Sequence, residues 1–143
     1  YNSASEPEES ARIKMSVAPM APETPYMRYY QTKYPDSDSP INVISWQENH
    51  LMLAELALQG QSVGVNALDA VNAVRAAHGI SNLSNVDLSA LLHERDKELF
   101  CQGQRIIDQN RHADLLNWHL GESSTWRFLP IPYEEELANP NYP

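Results

Sequence analysis

All ten prolines of this 143-residue chain fall in the first 40 or the last 18 positions. Proline removes a backbone donor and pushes the residue before it out of the helical region. Residues 1–42, with Pro7, Pro19, Pro22, Pro25, Pro35 and Pro40, are therefore expected to be irregular or extended. The acidic stretch Tyr1 to Ser10 is expected to be mobile. Residues 121–143, carrying Pro130, Pro132, Pro140 and Pro143, are expected to form an extended strap. Trp126, Phe128, Leu129 and Ile131 would lie along a helical body, and "YEEEL" would make one short turn that Asn139-Pro140 stops.

Between these flanks, residues 43–120 read as a helical body. "SWQE" at 45–48 has capping-box spacing, and Leu51, Ala54 and Leu58 form one stripe before Gly60. Asn66 is a good N-cap for a second helix, with Ala67, Leu68, Val71 and Val74 on its apolar face and Gly79 at its end. A third helix starts in "SNVD" (84–87), carries Leu88, Leu91, Leu92, Arg95 and Leu99 along one side, and is interrupted at Gly103. A fourth runs from about Gln104 towards Trp118. The expected class is all-α, about four helices in tetratricopeptide-like pairs with extended ends. The first two helices form a hairpin of the size of a helical-repeat unit. One such unit cannot bury both its faces, which points to a piece of a longer protein or to a surface that needs a partner.

Net charge is −9, which argues against a nucleic-acid-tracking surface and against electrostatic adhesion to anionic lipid. No apolar run approaches the ~18 residues of a spanning helix. Cys101 is the single cysteine, so no disulfide closes within the chain, and its helical, apolar setting predicts a buried, inert thiol.

"HERDKE" (93–98) is not a zinc-protease motif, because position 97 is Lys. Arg95 sits on the apolar stripe and needs a carboxylate, with Glu55 and Asp108 as long-range candidates; the expected role is a buried ionic latch between helices. His93, His112, Asp114 and His119 lack diagnostic metal spacing, so no metal and no cofactor is expected. "NLS" at 82–84 matches the N-glycosylation pattern, as many loops do by chance. Trp46, at the first position of the first helix, and Tyr29 and Tyr30, in a stretch rich in tyrosine, are the weak candidates for ligand contact. Packing along the body competes with that role for all three.

Read in order, six short pieces resemble the C-terminal part of the SusD/RagB family of outer-membrane nutrient-binding lipoproteins. They are "TKYP" (32–35), "HLMLAELAL" (50–58), "ALDAVNAVR" (67–75), "ERDKEL" (94–99), "GQRIID" (103–108) and "LPIPYEEELANPN" (129–141). The resemblance covers about residues 29–141. It marks Glu55, Asn72, Arg75, Glu94, Arg95, Glu98, Gly103, Arg105, Asp108, Pro130, Pro132, Asn139 and Pro140 as structural motif positions. The chain departs from the pattern at "SWQE", where the family usually has Arg-x-x-Glu, and at Gln102 and Gln109.

The resemblance implies a longer, mostly helical, non-enzymatic protein on the outer cell surface, tethered through a lipidated cysteine that lies outside this segment. It implies a SusC-like TonB-dependent transporter as partner and an oligosaccharide or other nutrient as ligand. Read without the resemblance, the same residues suit a free-standing helical-repeat scaffold that docks a peptide.

Overall fold

The computed structural model describes residues 7–20, 25–116 and 133–140. The chain divides into two compact units, residues 1–105 and 106–143. In the first, a 3-10 turn at Pro7–Ala11 leads into strands β1 (Met15–Pro19) and β2 (Met27–Gln31), followed by helices α1 (Trp46–Leu58), α2 (Ala67–Ala77) and α3 (Leu88–Glu98). Helix α4 (Gln104–Arg111) crosses the boundary, and α5 (Tyr133–Ala138) lies in the second unit.

Polar side chains start each of the first three helices. Ser45, in an extended conformation, accepts a hydrogen bond from the Glu48 amide at 3.1 Å. Asn66 accepts from the Leu68 amide at 2.9 Å, and Asp87 accepts from the Ala90 amide at 2.8 Å. Each satisfies one backbone donor that a helix start leaves without a partner. The ends of α1 and α2 share one geometry. Gln61 N–H reaches back to Leu56 C=O, and Ile80 N–H to Arg75 C=O, around Gly60 at φ 81° and Gly79 at φ 69°. These are Schellman closures, which need a left-handed residue that glycine adopts without strain.

The core follows the stripes. Leu51 and Ala54 from α1, Ala70, Val71 and Val74 from α2, and Leu91 from α3 form one buried cluster, with Leu58, Ala67, Leu83, Val86 and Leu88 packed around it. Helix α1 packs on both α2 and α3. The α2–α3 loop is fixed by Asn72, whose side chain donates to Leu83 C=O at 3.0 Å and accepts from Leu83 N–H at 2.8 Å. An amide side chain satisfies both groups of one peptide here, so the loop can pass close to the core without an unpaired polar group.

Four sequence expectations need correction. The chain is mostly helical but not all-α, because β1 and β2 pair antiparallel. The stretch Tyr1 to Ser10 is not loose where it is described, since its carboxylates Glu8 and Glu9 are engaged by α2, α3 and Arg12. Helix α3 stops at Glu98, so Cys101 is not a buried helical thiol; it is exposed, in a left-handed turn at φ 59°. Helix α4 ends at Arg111 rather than near Trp118. The strap residues Trp126, Phe128, Leu129, Pro130, Ile131 and Pro132, together with His119, lie outside the described residues. The single turn expected in "YEEEL" is present as α5, with Asn139 and Pro140 directly after it.

Candidate functional site

A three-residue step in the sequence, the i, i+3 spacing from Glu9 on the 3-10 turn to Arg12 just after it, places a carboxylate and a guanidinium side by side. Arg12 Nη2 donates to Glu9 Oε2 at 2.6 Å and Nε donates to the same oxygen at 2.9 Å. Its remaining arm, Nη1, donates to Glu94 Oε2 on α3 at 2.8 Å. The other Glu94 oxygen accepts from Arg75 Nη1 on α2 at 2.7 Å. Arg75 Nε donates to Ser81 C=O at 2.6 Å, and its Nη2 meets Glu8 at 3.3 Å. Lys97 Nζ closes the ring on Glu9 Oε1 at 3.1 Å. Glu9, Arg12, Arg75 and Glu94 are all buried. The turn before β1, α2 and α3 are thus tied together by one ion cluster rather than by separate pairs.

Burial alone would push the Glu9 carboxyl up, but the hydrogen bonds and charges of Arg12 and Lys97 outweigh it and hold the group below the ordinary glutamate value of 4.5. Glu8 is also held down, first by the Ser81 amide and hydroxyl that donate to it. The cluster extends to Glu98, which pairs with His78 Nε2 at 2.9 Å and lies 3.9 Å from Arg12. Arg12, Arg75 and Lys97 pair with these carboxylates. Both Glu94 oxygens and both Glu9 oxygens carry donors. Carboxylates bonded in this way hold the turn before β1, α2 and α3 together.

Acid should release this tie, with a sign fixed by the lowered Glu9 value. Between that value and 4.5 the unfolded chain binds a proton that the folded chain does not, so stability rises with pH there. The contribution is complete above 4.5 and disappears as pH falls through the lowered value. The thermal midpoint is expected to drop between about pH 5 and pH 3, and Glu9→Gln should flatten that part of the profile. A Glu9→Gln profile that matches the parent chain over this range would remove Glu9 from the account.

A cleft of about 870 Å³ is lined by cluster residues Glu9, Arg75 and Glu94, by Met15 and Tyr29 of the β-hairpin, and by Phe100. Arg105 Nη1 meets Asp96 at 3.2 Å on its rim. A second cavity of about 570 Å³ is bordered by Lys14, Lys33, Asn42, His78 and Glu98. Lys33 Nζ donates to Glu98 C=O at 3.2 Å and Phe100 C=O at 3.0 Å, so it caps the last carbonyl of α3 and one in the turn that follows. Its burial lowers its pKa, against the upward pull of the Glu98 carboxylate and of Cys101.

The three weak ligand candidates are all exposed, and they do not converge. Tyr29 lines the larger cleft, while Tyr30 points to the opposite face of the hairpin, where Arg28 lies 5.8 Å from its ring. Trp46, 48% exposed, packs edge-on against His50 at the start of α1. Of the motif positions, Glu55, Arg75, Glu94, Arg95, Glu98 and Asp108 are buried. Arg105 is about half exposed, and Gly103 adopts φ 76°. Arg95 is buried as expected, 3% exposed, and an ionic latch between elements is built at its neighbour Glu94. Sequence reasoning missed Glu8, Glu9 and Arg12, although the i, i+3 pairing of Glu9 with Arg12 is a local signal that could have found half of the cluster.

Among the described residues, no three His, Cys, Asp or Glu side chains are grouped to hold a metal ion. No described helix is long and apolar enough to cross a membrane. No protein-family model, curated protein or solved structure matches the chain.

Proposed function

We propose that this chain is the C-terminal part of a SusD/RagB-like cell-surface protein that binds a glycan or other nutrient and delivers it to a TonB-dependent outer-membrane transporter. In this reading α1 and α2 form a tetratricopeptide-like pair. The observation that supports it most is that three of the six ordered motif pieces hold structural posts in one unit. Lys33 of "TKYP" caps α3, Asn72 and Arg75 of "ALDAVNAVR" hold the α2–α3 loop, and Glu94 of "ERDKEL" ties α2 to the turn before β1. These pieces are spread along the sequence and gain a common purpose only when folded. Such a tied helical body suits a rigid platform, with ligand recognition placed on other segments of the protein.

The test is calorimetry of the full-length protein against a panel of oligosaccharides and peptides, with purification from its own membranes. Saturable binding and a co-purifying large β-barrel are expected. Loss of both sinks the proposal. The exposed run Ile41, Val43 and Ile44 before α1 favours a second reading, a free-standing scaffold that docks a protein segment. A neighbouring gene for a TonB-dependent barrel separates the two, being present for the first and absent for the second.

A further inference from the structure

The β-hairpin is the part of the first unit least explained by packing. Every residue of β2 is exposed, and β1 is exposed apart from half-buried Ala18. A two-stranded ribbon with both faces wet is at best marginal by itself. Its two edges differ in how they are protected, and that difference indicates what completes it.

The hairpin is closed by Thr32 N–H to Lys14 C=O at 2.8 Å and by Met20 N–H to Tyr26 C=O at 2.9 Å. In an antiparallel ladder, opposed pairs alternate between bonded and non-bonded. With Ser16 opposite Tyr30 and Ala18 opposite Arg28, these two are the bonded pairs. The backbone groups of Met15, Val17 and Pro19 therefore face outward on β1, and those of Met27, Tyr29 and Gln31 face outward on β2. Pro19 has no N–H, so the β1 edge cannot complete a ladder. The β2 edge keeps all three donors, and among the described residues no third strand pairs with it. Open edges of this kind are normally blunted by proline or charge.

The side chains define the partner. Met15, Val17, Pro19, Met27 and Tyr29 share one face. Lys14 and Arg28 share the other, and from Lys14 to Pro35 the sequence carries Lys14, Arg28 and Lys33 against one acid, Glu23. This basic island belongs to a chain of net charge −9. We propose that the outer edge of β2 accepts an extended segment of a partner protein as a third strand, one that alternates apolar residues over Met27 and Tyr29 with carboxylates beside Arg28. A second copy of this chain fits poorly, because it would bring two bodies of net charge −9 together and, in the register centred on Arg28, would set two guanidinium groups side by side. Strand addition of this type draws affinity from main-chain hydrogen bonds and specificity from alternate side chains.

The test titrates the full chain with a capped nonapeptide of alternating Val and Glu, read by calorimetry and by amide chemical shifts. Saturable binding below about 1 mM is expected, with shifts at Met27, Tyr29 and Gln31. N-methylation of the peptide's pairing amides leaves the protein untouched and should weaken binding at least about tenfold. Replacing Glu by Lys in the peptide, or Arg28→Glu in the protein, should do the same. No saturable binding, equal binding of the N-methylated or the Lys peptide, or shifts confined to α1–α3 would overturn the proposal. So would partition of the hairpin onto phosphatidylglycerol vesicles, or a shift to a two-copy mass without peptide. None of these outcomes depends on glycan binding or on a co-purifying barrel, so this inference and the proposed function stand or fall separately.

Discussion

Glu94→Ala is expected to lower the free energy of unfolding by about 3–5 kcal/mol, the scale for breaking a buried ion pair by removing one partner. Glu94 bridges Arg12 and Arg75 at 2.8 and 2.7 Å, closer on the Arg75 side than Glu9, which meets Arg75 at 3.5 Å. Its removal leaves both guanidinium groups buried, facing one another across Glu9 and with Lys97 nearby. The cost lies in two buried guanidinium arms left without their acceptor and in the weakened charge pairing between α2 and the turn before β1. A conservative Glu94→Gln keeps the shape and an acceptor but loses the charge, so most of the penalty should persist. The urea midpoint, with an unchanged slope, reads the effect directly. A loss under about 1 kcal/mol would mean that water reaches the cluster and screens it. Arg12→Met combined with Glu94→Leu is the informative control. Removing charges of both signs should cost less than the sum of the single changes, because the pair is coupled.

How much of this was readable beforehand depends on sequence distance. The helix starts at Ser45 and Asn66, and the ends at Gly60 and Gly79, are local signals, and the chain obeys them. The stripes through Leu51, Ala54, Val71, Val74 and Leu91 likewise follow from the helical period alone. The hairpin escaped because its strands lack a buried face. With no side of β2 dry, hydrophobic alternation carries no information, and Pro19 argues against a strand without forbidding an edge. The ion cluster escaped because Arg12 and Glu94 are 82 positions apart, and a charge in a polar-looking leader reads as solvated. The early end of α3 escaped for a related reason. Its last carbonyl and one in the turn that follows are capped from outside by Lys33, 65 and 67 residues away, so the local apolar run Leu99-Phe100-Cys101 misleads. No candidate ligand residue could be ranked from sequence, because exposed aromatics look the same whether they serve a site or simply sit on a surface.

The second large effect separates core from stripe. Leu91→Ala is expected to destabilise by about 2–5 kcal/mol, from lost transfer energy and the cavity left behind. Leu91 is fully buried, and it carries α3 into the cluster formed by α1 and α2. Beside Leu51, that cluster rests on small or short side chains: Ala54, Ala70, Val71 and Val74. Such residues bring helix axes close and leave few flexible atoms to refill a void, so the cost should fall in the upper half of the range. Leu56→Ala, on the exposed side of α1, is the matched comparison and should stay within about 0.5 kcal/mol. Chemical denaturation of both variants measures the difference. Equal small effects would show that α3 is held to α1 and α2 by the Glu94 ion cluster alone. A large Leu91 effect beside a large Glu94 effect would show that hydrophobic and ionic ties hold the same helix at two places along its length. Helix α3 would then be the element whose loss undoes the unit, since it touches the turn before β1, α1 and α2.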